Sequence, residues 1–312
     1  MYEIISYFID YLKHNKRVSE HTIIAYSRDL DDMASWLSRN AEINKLDNLD
    51  HRHLRSFLAD LYHTRQASSI ARTLSAIRSF LKYCVKNGHL KTSPADLIIS
   101  PKIPQRLPSG LSVDEAFTIC DEKFSLTQLS ARDEAIVELL YATGIRVSEV
   151  CGLNCGDVDL GGMVVTVVGK GDKERVVPFH EKCATKLRAW ILERNNLLPQ
   201  KILGADAPFF LGTKGCRLND RVLRKMLERC GNKAQMQGSL YPHRFRHAFG
   251  THLLEGGADL RAIQEFLGHA SISTTQQYTN VNLTHLMRVY DTAHPHSKKR
   301  APTNRLPKLG SS

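Results

Sequence analysis

No stretch of this chain is apolar for long enough to cross a bilayer, and its hydrophobic opening, MYEIISYFIDYLKHNK, is broken by Glu3 and Asp10. A span needs roughly 20 consecutive apolar residues, so a transmembrane anchor is excluded and the opening reads as an amphipathic helix, not a signal sequence. Acidic residues are in deficit, 32 Asp+Glu against 43 Lys+Arg, for a formal charge of +11. That balance points to a polyanionic partner, a nucleic acid or an acidic membrane surface, although some basic proteins are merely soluble. Cysteine forms no complete motif: Cys84, Cys120, Cys151, Cys155, Cys183, Cys216 and Cys230 are odd in number and scattered. Cys151 and Cys155 are spaced as helical neighbours, but no second pair completes a zinc site, so all seven read as reduced thiols of a cytosolic protein. No internal repeat is present.

What is present is the composition of a soluble globular protein, 42% hydrophobic and 24% charged over 312 residues, enough for one large domain or two ordinary ones. Residues 1–90 read as consecutive helices. Ile23, Tyr26, Leu30, Met33 and Leu37 form a stripe at helical spacing, with Ser19 as its N-cap. In SSIARTLSAIRSFLKYCVKNG, Ile70, Leu74, Ile77 and Leu81 share one face, while Arg72, Ser75, Arg78, Ser79 and Lys82 occupy the others. Small polar residues between cations suit a helix lying on DNA, because the backbone can approach closely and donate to phosphates; a solvated face is the plainer alternative. Prolines 94, 101, 104 and 108 then break helical continuity, and Ser112 with Glu115 forms a capping-box start, which places a domain boundary near residues 100–110.

The second half opens with the helical ARDEAIVELLYATG and then changes period. DVDLGGMVVTVVGKGDKERVVPF reads as a small antiparallel meander, turning at Gly161-Gly162 and at Gly169–Lys173. Helical patterns return from about residue 180 to about 292, and the basic, Pro-containing tail lacks periodicity and reads as disordered.

The chemistry concentrates in four segments. YPHRFRHAFGTHLL, residues 241–254, crowds His243, Arg244, Arg246 and His247 at a helix start that is already electropositive, which is unfavourable unless an anion binds there. Phe245, Ala248, Phe249, His252 and Leu253 take the core face, leaving His243 and Arg246, at i and i+3, on another; a buried acid paired with Arg246 is the alternative. In ATGIRVSEV, Gly144 ends one helix, Arg146 opens the next, and Glu149 is placed to hold the guanidinium. In VVGKGDKERVVP, Lys170 sits at a hairpin tip, with Lys173 and Arg175 as ordinary turn or strand cations nearby. In LRAIQEFLGHASISTTQQYT, Gly268 ends a helix, His269 follows at once, and Ser273 with Gln276 opens a short helix bearing Tyr278.

The ordered set Arg146, Lys170, His243-x-x-Arg246, Leu267-Gly268-His269 and Tyr278 resembles the active-site signature of the tyrosine recombinases, or phage-type integrases. RVSEHTIIAYSRDL and IARTLSAIRSFLKY resemble the DNA-clamping domain of the Xer branch, and VYDTAHPHSKK resembles the end of those proteins. The resemblance implies a mainly α fold with a small antiparallel β-sheet in two domains: a helical, SAM-like core-binding domain over 1–100 and an α+β catalytic domain over 112–295. A linker over 101–111 would join them, and 296–312 would form a basic disordered tail. It further implies that Tyr278 attacks a DNA phosphodiester to leave a 3′-phosphotyrosyl link, that Arg146 and Arg246 clamp the phosphate, and that Lys170 protonates the departing 5′-oxygen. His243 would assist as acid/base and His269 would hydrogen-bond the phosphate, with no metal, ATP or other cofactor. The implied partners are duplex DNA with a specific site, a homo- or heterotetramer with a second, related recombinase, and a septal DNA translocase acting in chromosome-dimer resolution at cell division; no membrane is implied.

Several alternatives stand beside it. An integrase of a phage, transposon or integron would share the chemistry, and a type IB topoisomerase would share it without synapsis. A non-catalytic DNA-binding regulator leaves Tyr278, Lys170 and the paired arginines unexplained. A metal hydrolase built on His243, His247 and His269 has no carboxylate at ligand spacing, and Arg246 would repel its cation. Near the C-terminus, Leu283, Leu286, Val289 and Tyr290 form an apolar face that packs on its own domain or, as the family implies, docks into the next protomer. Docking would make truncation before Asn282 harmless to single-site binding and harmful to synapsis.

Overall fold

The computed structural model describes residues 1–15, 18, 20–101, 110–123, 129–169, 173–197, 204–268 and 280–297. The chain divides into two compact units, Met1–Arg106 and Leu107–Ser312, each with its own hydrophobic core. The first unit is helical: α1 (Tyr2–Asn15), α2 (Glu20–Ala41), α3 (His51–Leu61) and α4 (Ala67–Lys86). Leu30, Met33 and Leu37 of the α2 stripe are fully buried, as are Ile70, Leu74, Ile77 and Leu81 of α4, and Ile23 and Tyr26 pack at the edge of the same cluster. Ser19 lies outside the described residues. A capping box fixes the start of α3: Asp50 Oδ1 accepts from the Arg52 and His53 N–H groups, and His53 Nδ1 accepts from Asp50 N–H.

The second unit begins with α5 (Val113–Asp121), opened by the expected reciprocal pair, Glu115 N–H to Ser112 Oγ at 3.1 Å and Ser112 N–H to Glu115 Oε2 at 2.8 Å. Leu111, assigned to the linker from sequence, is instead buried in the core of this unit. Helix α6 (Ser130–Thr143) is enclosed on nearly all sides, from Ala135 to Thr143 without an exposed residue. Two of its buried polar side chains find partners inside: Arg132 donates to Asp133 and to the Leu211 carbonyl, and Tyr141 Oη lies 3.1 Å from His252 Nδ1. Helix α7 (Val147–Gly152) follows; because it stops at Gly152, Cys151 and Cys155 are not neighbours on one helix as their spacing suggested.

A meander of β1 (Val158–Asp159), β2 (Val164–Val168) and β3 (Glu174–Pro178) is antiparallel in that order, with Val158 opposite Val165 and Thr166 opposite Val176. Asp159 Oδ1 turns the first hairpin by accepting the Gly161 and Gly162 N–H groups, both at 2.9 Å. Then come α8 (Glu181–Leu197), α9 (Asp220–Lys233), α10 (Pro242–Glu255), α11 (Leu260–Leu267) and α12 (Asn280–Ala293). The core face read for α10 is observed: Phe245, Ala248, Phe249, His252 and Leu253 are all buried.

The apolar face of α12 packs at home. Leu286, Tyr290 and Ala293 belong to the core of their own unit, and Tyr290 Oη donates to the Ala142 carbonyl at 2.9 Å. Burying side chains of this kind stabilises by roughly 1.5–3 kcal/mol each, so this face is not free for a neighbouring protomer, and truncation before Asn282 would open the core of its own domain. The Leu283 side chain lies outside the described residues. His296, placed in the disordered tail from sequence, is also ordered, with its side chain 1% exposed and Nδ1 2.8 Å from Glu138 Oε1; residues 298–312 lie outside the described residues.

Glu138 thereby sits in a buried polar cluster. His180 Nε2 is 3.5 Å from its Oε1, while the Lys182 and Lys186 ammonium groups are 3.8 and 4.0 Å from its Oε2. Burial drives His180 down to about 4 and His294 well below the usual imidazole value. Burial alone would raise Glu138, but His296, Lys182 and His180 together hold it below the usual carboxylate value. With His180 folded near 4 and unfolded near 6.5, the unfolded chain binds more protons between those values. Stability is thus full above about pH 6.5 and falls as pH drops toward 4, by about 1.4 kcal/mol per pH unit for one such group. His180 also accepts the Cys183 N–H at 3.2 Å at the start of α8. His180→Asn keeps an acceptor there without titrating, and is expected to flatten the acid decline in denaturant-measured stability; an unchanged slope would show that His180 is not a source of it.

Candidate active site

The site starts where α6 stops. Gly144 adopts a left-handed conformation, φ +60°, that ends the helix. The chain then extends through Ile145, and Arg146 becomes the N-cap of α7. Glu149, three residues on, fastens both ends of Arg146: Oε2 accepts its backbone N–H at 2.6 Å and Oε1 accepts Nη1 at 2.9 Å. The expected Arg146–Glu149 support is therefore present, with the geometry of a capping box.

Glu149 has a second partner that sequence reasoning missed. Arg175 of β3, read as an ordinary strand cation, is buried, and its Nη1 and Nη2 donate to both Glu149 oxygens at 2.8 Å. The available signal was the two-residue period of ERVVP, which puts Arg175 on the inward face with Val177. Burial would raise the Glu149 carboxyl, but Arg175 and then Arg146 hold it below the usual carboxylate range.

All three guanidinium groups meet the C-terminal end of α11. Arg175 Nε donates to the Phe266 carbonyl at 2.8 Å, Arg246 Nη2 to that of Leu267, and Arg146 Nη2 reaches that of Gly268 at 3.5 Å. A helix end leaves its last carbonyls without intrahelical partners and carries partial negative charge, so it attracts cations. Gly268, at φ +62°, ends α11 there, and a Cβ on it would stand 3.1 Å from Arg175 Cδ. Arg246 also donates Nη1 to the Gly144 carbonyl at 2.9 Å. The buried-acid alternative for Arg246 is thus replaced by two backbone carbonyls. Three guanidinium groups beside one carboxylate, which only Arg146 and Arg175 contact, leave a formal charge of about +2. Burial first, then the Arg146 and Arg175 charges, bring Arg246 down to about 10, still fully protonated at neutral pH.

His243 is exposed one helical turn before Arg246 on α10. Arg244 turns away from the cluster, buried, with the Gln237 and Ser239 carbonyls as acceptors and Glu115 at 3.7 Å. Lys170, His269 and Tyr278 lie outside the described residues, as do Ser273 and Gln276. The hairpin bearing Lys170 is closed at its base by Gly169 N–H to the Lys173 carbonyl, 2.7 Å.

In the first unit, the polar face of α4 is more occupied than its sequence suggests. Arg72 pairs with the buried Asp29 at 3.0 Å, and Arg78 donates to Ser100 Oγ at 2.8 Å and to the Ile98 carbonyl. Ser75 is exposed with its hydroxyl on the Ala71 carbonyl, Ser79 is half-buried, and Lys82 is exposed. Burial raises the Asp29 carboxyl, against the opposing pull of Arg72 and Arg65.

Among the described residues, Cys120, Glu138 and His296 bring one potential metal-ligand atom each within 4.8 Å of one another. A divalent ion there would face the Lys182 and Lys186 ammonium groups, so the cluster fits a metal poorly. No helix among the described residues is long and apolar enough to cross a membrane.

The family model for the phage integrase family matches residues 111–285, and that for the phage integrase N-terminal SAM-like domain matches residues 5–88. The chain is 40% identical over 301 residues to tyrosine recombinase XerC of Pelobacter propionicus, covering 96% of this chain and 98% of that protein. To tyrosine recombinase XerC of Myxococcus xanthus it is 42% identical over 294 residues, 94% of this chain and 97% of that one. Among solved structures it is similar to XerH site-specific recombinase bound to difH substrate, with a TM-score of 0.65 and 23% identity over 92% of this chain and 81% of that one. It is also similar to the Tn1549 transposon integrase in complex with transposon right end DNA, with a TM-score of 0.70 and 18% identity over 91% and 98%.

Gly144 links the fold to the arginines, because a Cβ there would stand 2.5 Å from Phe249 Cδ1 in the core while its carbonyl holds Arg246. Gly144→Ala combines left-handed strain with overpacking and is expected to cost about 2–4 kcal/mol in urea unfolding. A loss below about 1 kcal/mol would show that this corner relaxes freely.

Proposed function

The chain belongs to the phage integrase family and is a tyrosine recombinase of the Xer type, and from that premise we propose that it cuts and rejoins duplex DNA at a specific site through Tyr278. The observation that carries this reading is the convergence of Arg146 and Arg246 on the end of α11, with net positive charge around one carboxylate. Such a cluster suits a phosphodiester, whose attack by an oxygen builds negative charge on the non-bridging oxygens. Guanidinium groups remain protonated throughout and can each bind two oxygens. Because their positions are set before DNA arrives, they stabilise that charge with little reorganisation.

The reaction balances without a cofactor. The Tyr278 oxygen forms a bond to phosphorus as the bond from phosphorus to the 5′-oxygen breaks, and Lys170 supplies the proton that leaves as part of the 5′-hydroxyl. His243 takes the phenol proton and returns it in the reverse step, and His269 hydrogen-bonds the phosphate. Rejoining reverses the sequence with the 5′-hydroxyl of another strand as nucleophile, so the ester keeps the bond energy. The arginines bind and polarise the phosphate throughout.

The related XerH and Tn1549 structures are complexes with DNA, which supports duplex DNA as the substrate here. Arg72, Ser75, Arg78, Ser79 and Lys82 on α4 are the proposed contacts of the first unit. Pairing with Asp29 and Ile98 makes Arg72 and Arg78 fixed donors, so they would position the duplex, while Lys82 contributes charge. The XerC relatives at 40% and 42% identity favour chromosome-dimer resolution at cell division over a mobile-element role. In that role the protein acts in the cytoplasm at the nucleoid, as a tetramer on paired sites with a second recombinase and under a septal DNA translocase.

A nicked suicide duplex carrying a site selected for binding to this protein tests the proposal. Wild type should accumulate a covalent protein–DNA adduct that persists in EDTA, and Tyr278→Phe should form none. An adduct with Tyr278→Phe, or cleavage abolished by EDTA, would reject the tyrosine mechanism.

A further inference from the structure

Arg175 is the most constrained side chain of the cluster. It is 5% exposed, and all three of its guanidinium nitrogens are engaged, two on Glu149 and one on Phe266. Each acceptor in turn belongs to something that holds a clamp arginine. Glu149 fixes the backbone and Nη1 of Arg146, while the two carbonyls after Phe266 hold Arg246 and Arg146. One guanidinium therefore joins β3 to both supports of the clamp.

We propose that Arg175 is a positioning residue for strand cleavage, one that sets the Arg146 and Arg246 guanidinium groups through Glu149 and the end of α11 without touching DNA; this rests on the recombinase reading above. Arg175 occupies both oxygens of Glu149, so the Arg146 guanidinium engages that carboxylate through Nη1 alone and its side chain stays 39% exposed. Without Arg175, a buried carboxylate would be left with Arg146 as its partner, and the attraction would draw that guanidinium inward, off the phosphate. Lysine cannot substitute, because a single ammonium does not span two carboxylate oxygens and a carbonyl in one plane. Gly268 fits this arrangement: a Cβ there would stand 3.1 Å from Arg175 Cδ and crowd the guanidinium.

The test compares Arg175→Lys, Glu149→Gln and the double variant with wild type on the suicide duplex, measuring single-site DNA affinity and the rate of adduct formation at saturating DNA. Arg175→Lys is expected to change affinity by less than about threefold and to slow adduct formation by at least about tenfold, since misplacing clamp groups by a fraction of an ångström acts on the chemical step. In the Glu149→Gln background the same change should slow it by less than about twofold more, because both substitutions break one relay. Guanidinium ion added to Arg175→Ala should raise its rate and leave wild type unchanged.

A wild-type rate in Arg175→Lys overturns the proposal, as does a loss confined to affinity, effects that multiply in the double variant, or no response to guanidinium. If neither Arg175 variant folds, the residue is structural and the proposal is likewise overturned. A wild type that forms no adduct rejects the recombinase reading and this inference with it, which separates the two failures.

Discussion

Like charges held together against their repulsion are the constraint on which the second unit depends. Three guanidinium groups gather around a single carboxylate, Glu149, which pairs with Arg146 and Arg175, while backbone carbonyls hold Arg246. Phe266, Leu267 and Gly268 are the last carbonyls of a helix, oriented alike and without intrahelical partners, so one short element supplies three acceptors in a row. Arg246 is the member most exposed to the repulsion: it has carbonyls but no carboxylate of its own, and burial together with its neighbours lowers its pKa to about 10. An anion entering the cluster relieves that repulsion. In the proposed reaction, the same imbalance would be a source of affinity for a phosphate, and of greater affinity for a transition state carrying more charge.

Precision in such a cluster requires rigid supports, and two left-handed glycines provide the corners. Gly144 ends α6 and delivers Arg146 to the start of α7, while Gly268 ends α11 and exposes its carbonyls. Behind them, α6 is enclosed by α8 and α10, and its Arg132 and Tyr141 side chains find partners within the core. A helix buried on every side can slide little without breaking those bonds, so the corner at Gly144 is held in place.

The far end of the domain is fastened by different physics. Helix α12 inserts Leu286 and Tyr290 into the core, and the chain beyond it returns His296 to Glu138. The Glu138 carboxylate is kept charged by the cations around it, while His180 and His294 are kept neutral by burial. The C-terminal segment is therefore held by apolar contact together with a buried polar contact to Glu138.

Much of this was legible in the sequence because it depends on local chemistry. The Ser112–Glu115 cap, the change of period at the meander, the α10 core face and the Arg146–Glu149 pair all involve residues a turn or a strand step apart, where spacing and side-chain type suffice. The order of charged motifs along the chain likewise determined the family and its reaction. Tertiary structure alone decided which groups those motifs meet. Arg175 lies 26 residues from Glu149 and 91 from Phe266, and reads as a surface cation until β3 is laid against α7 and α11. His296 reads as tail until α6 places a buried carboxylate beneath it, and the α12 face reads as suited to its own domain or to a neighbour until the core of its own domain closes over Tyr290. The physical reason is common to all three: a local pattern records what a side chain can bind, but a buried charge or ring is located by partners that only the packed chain brings within reach.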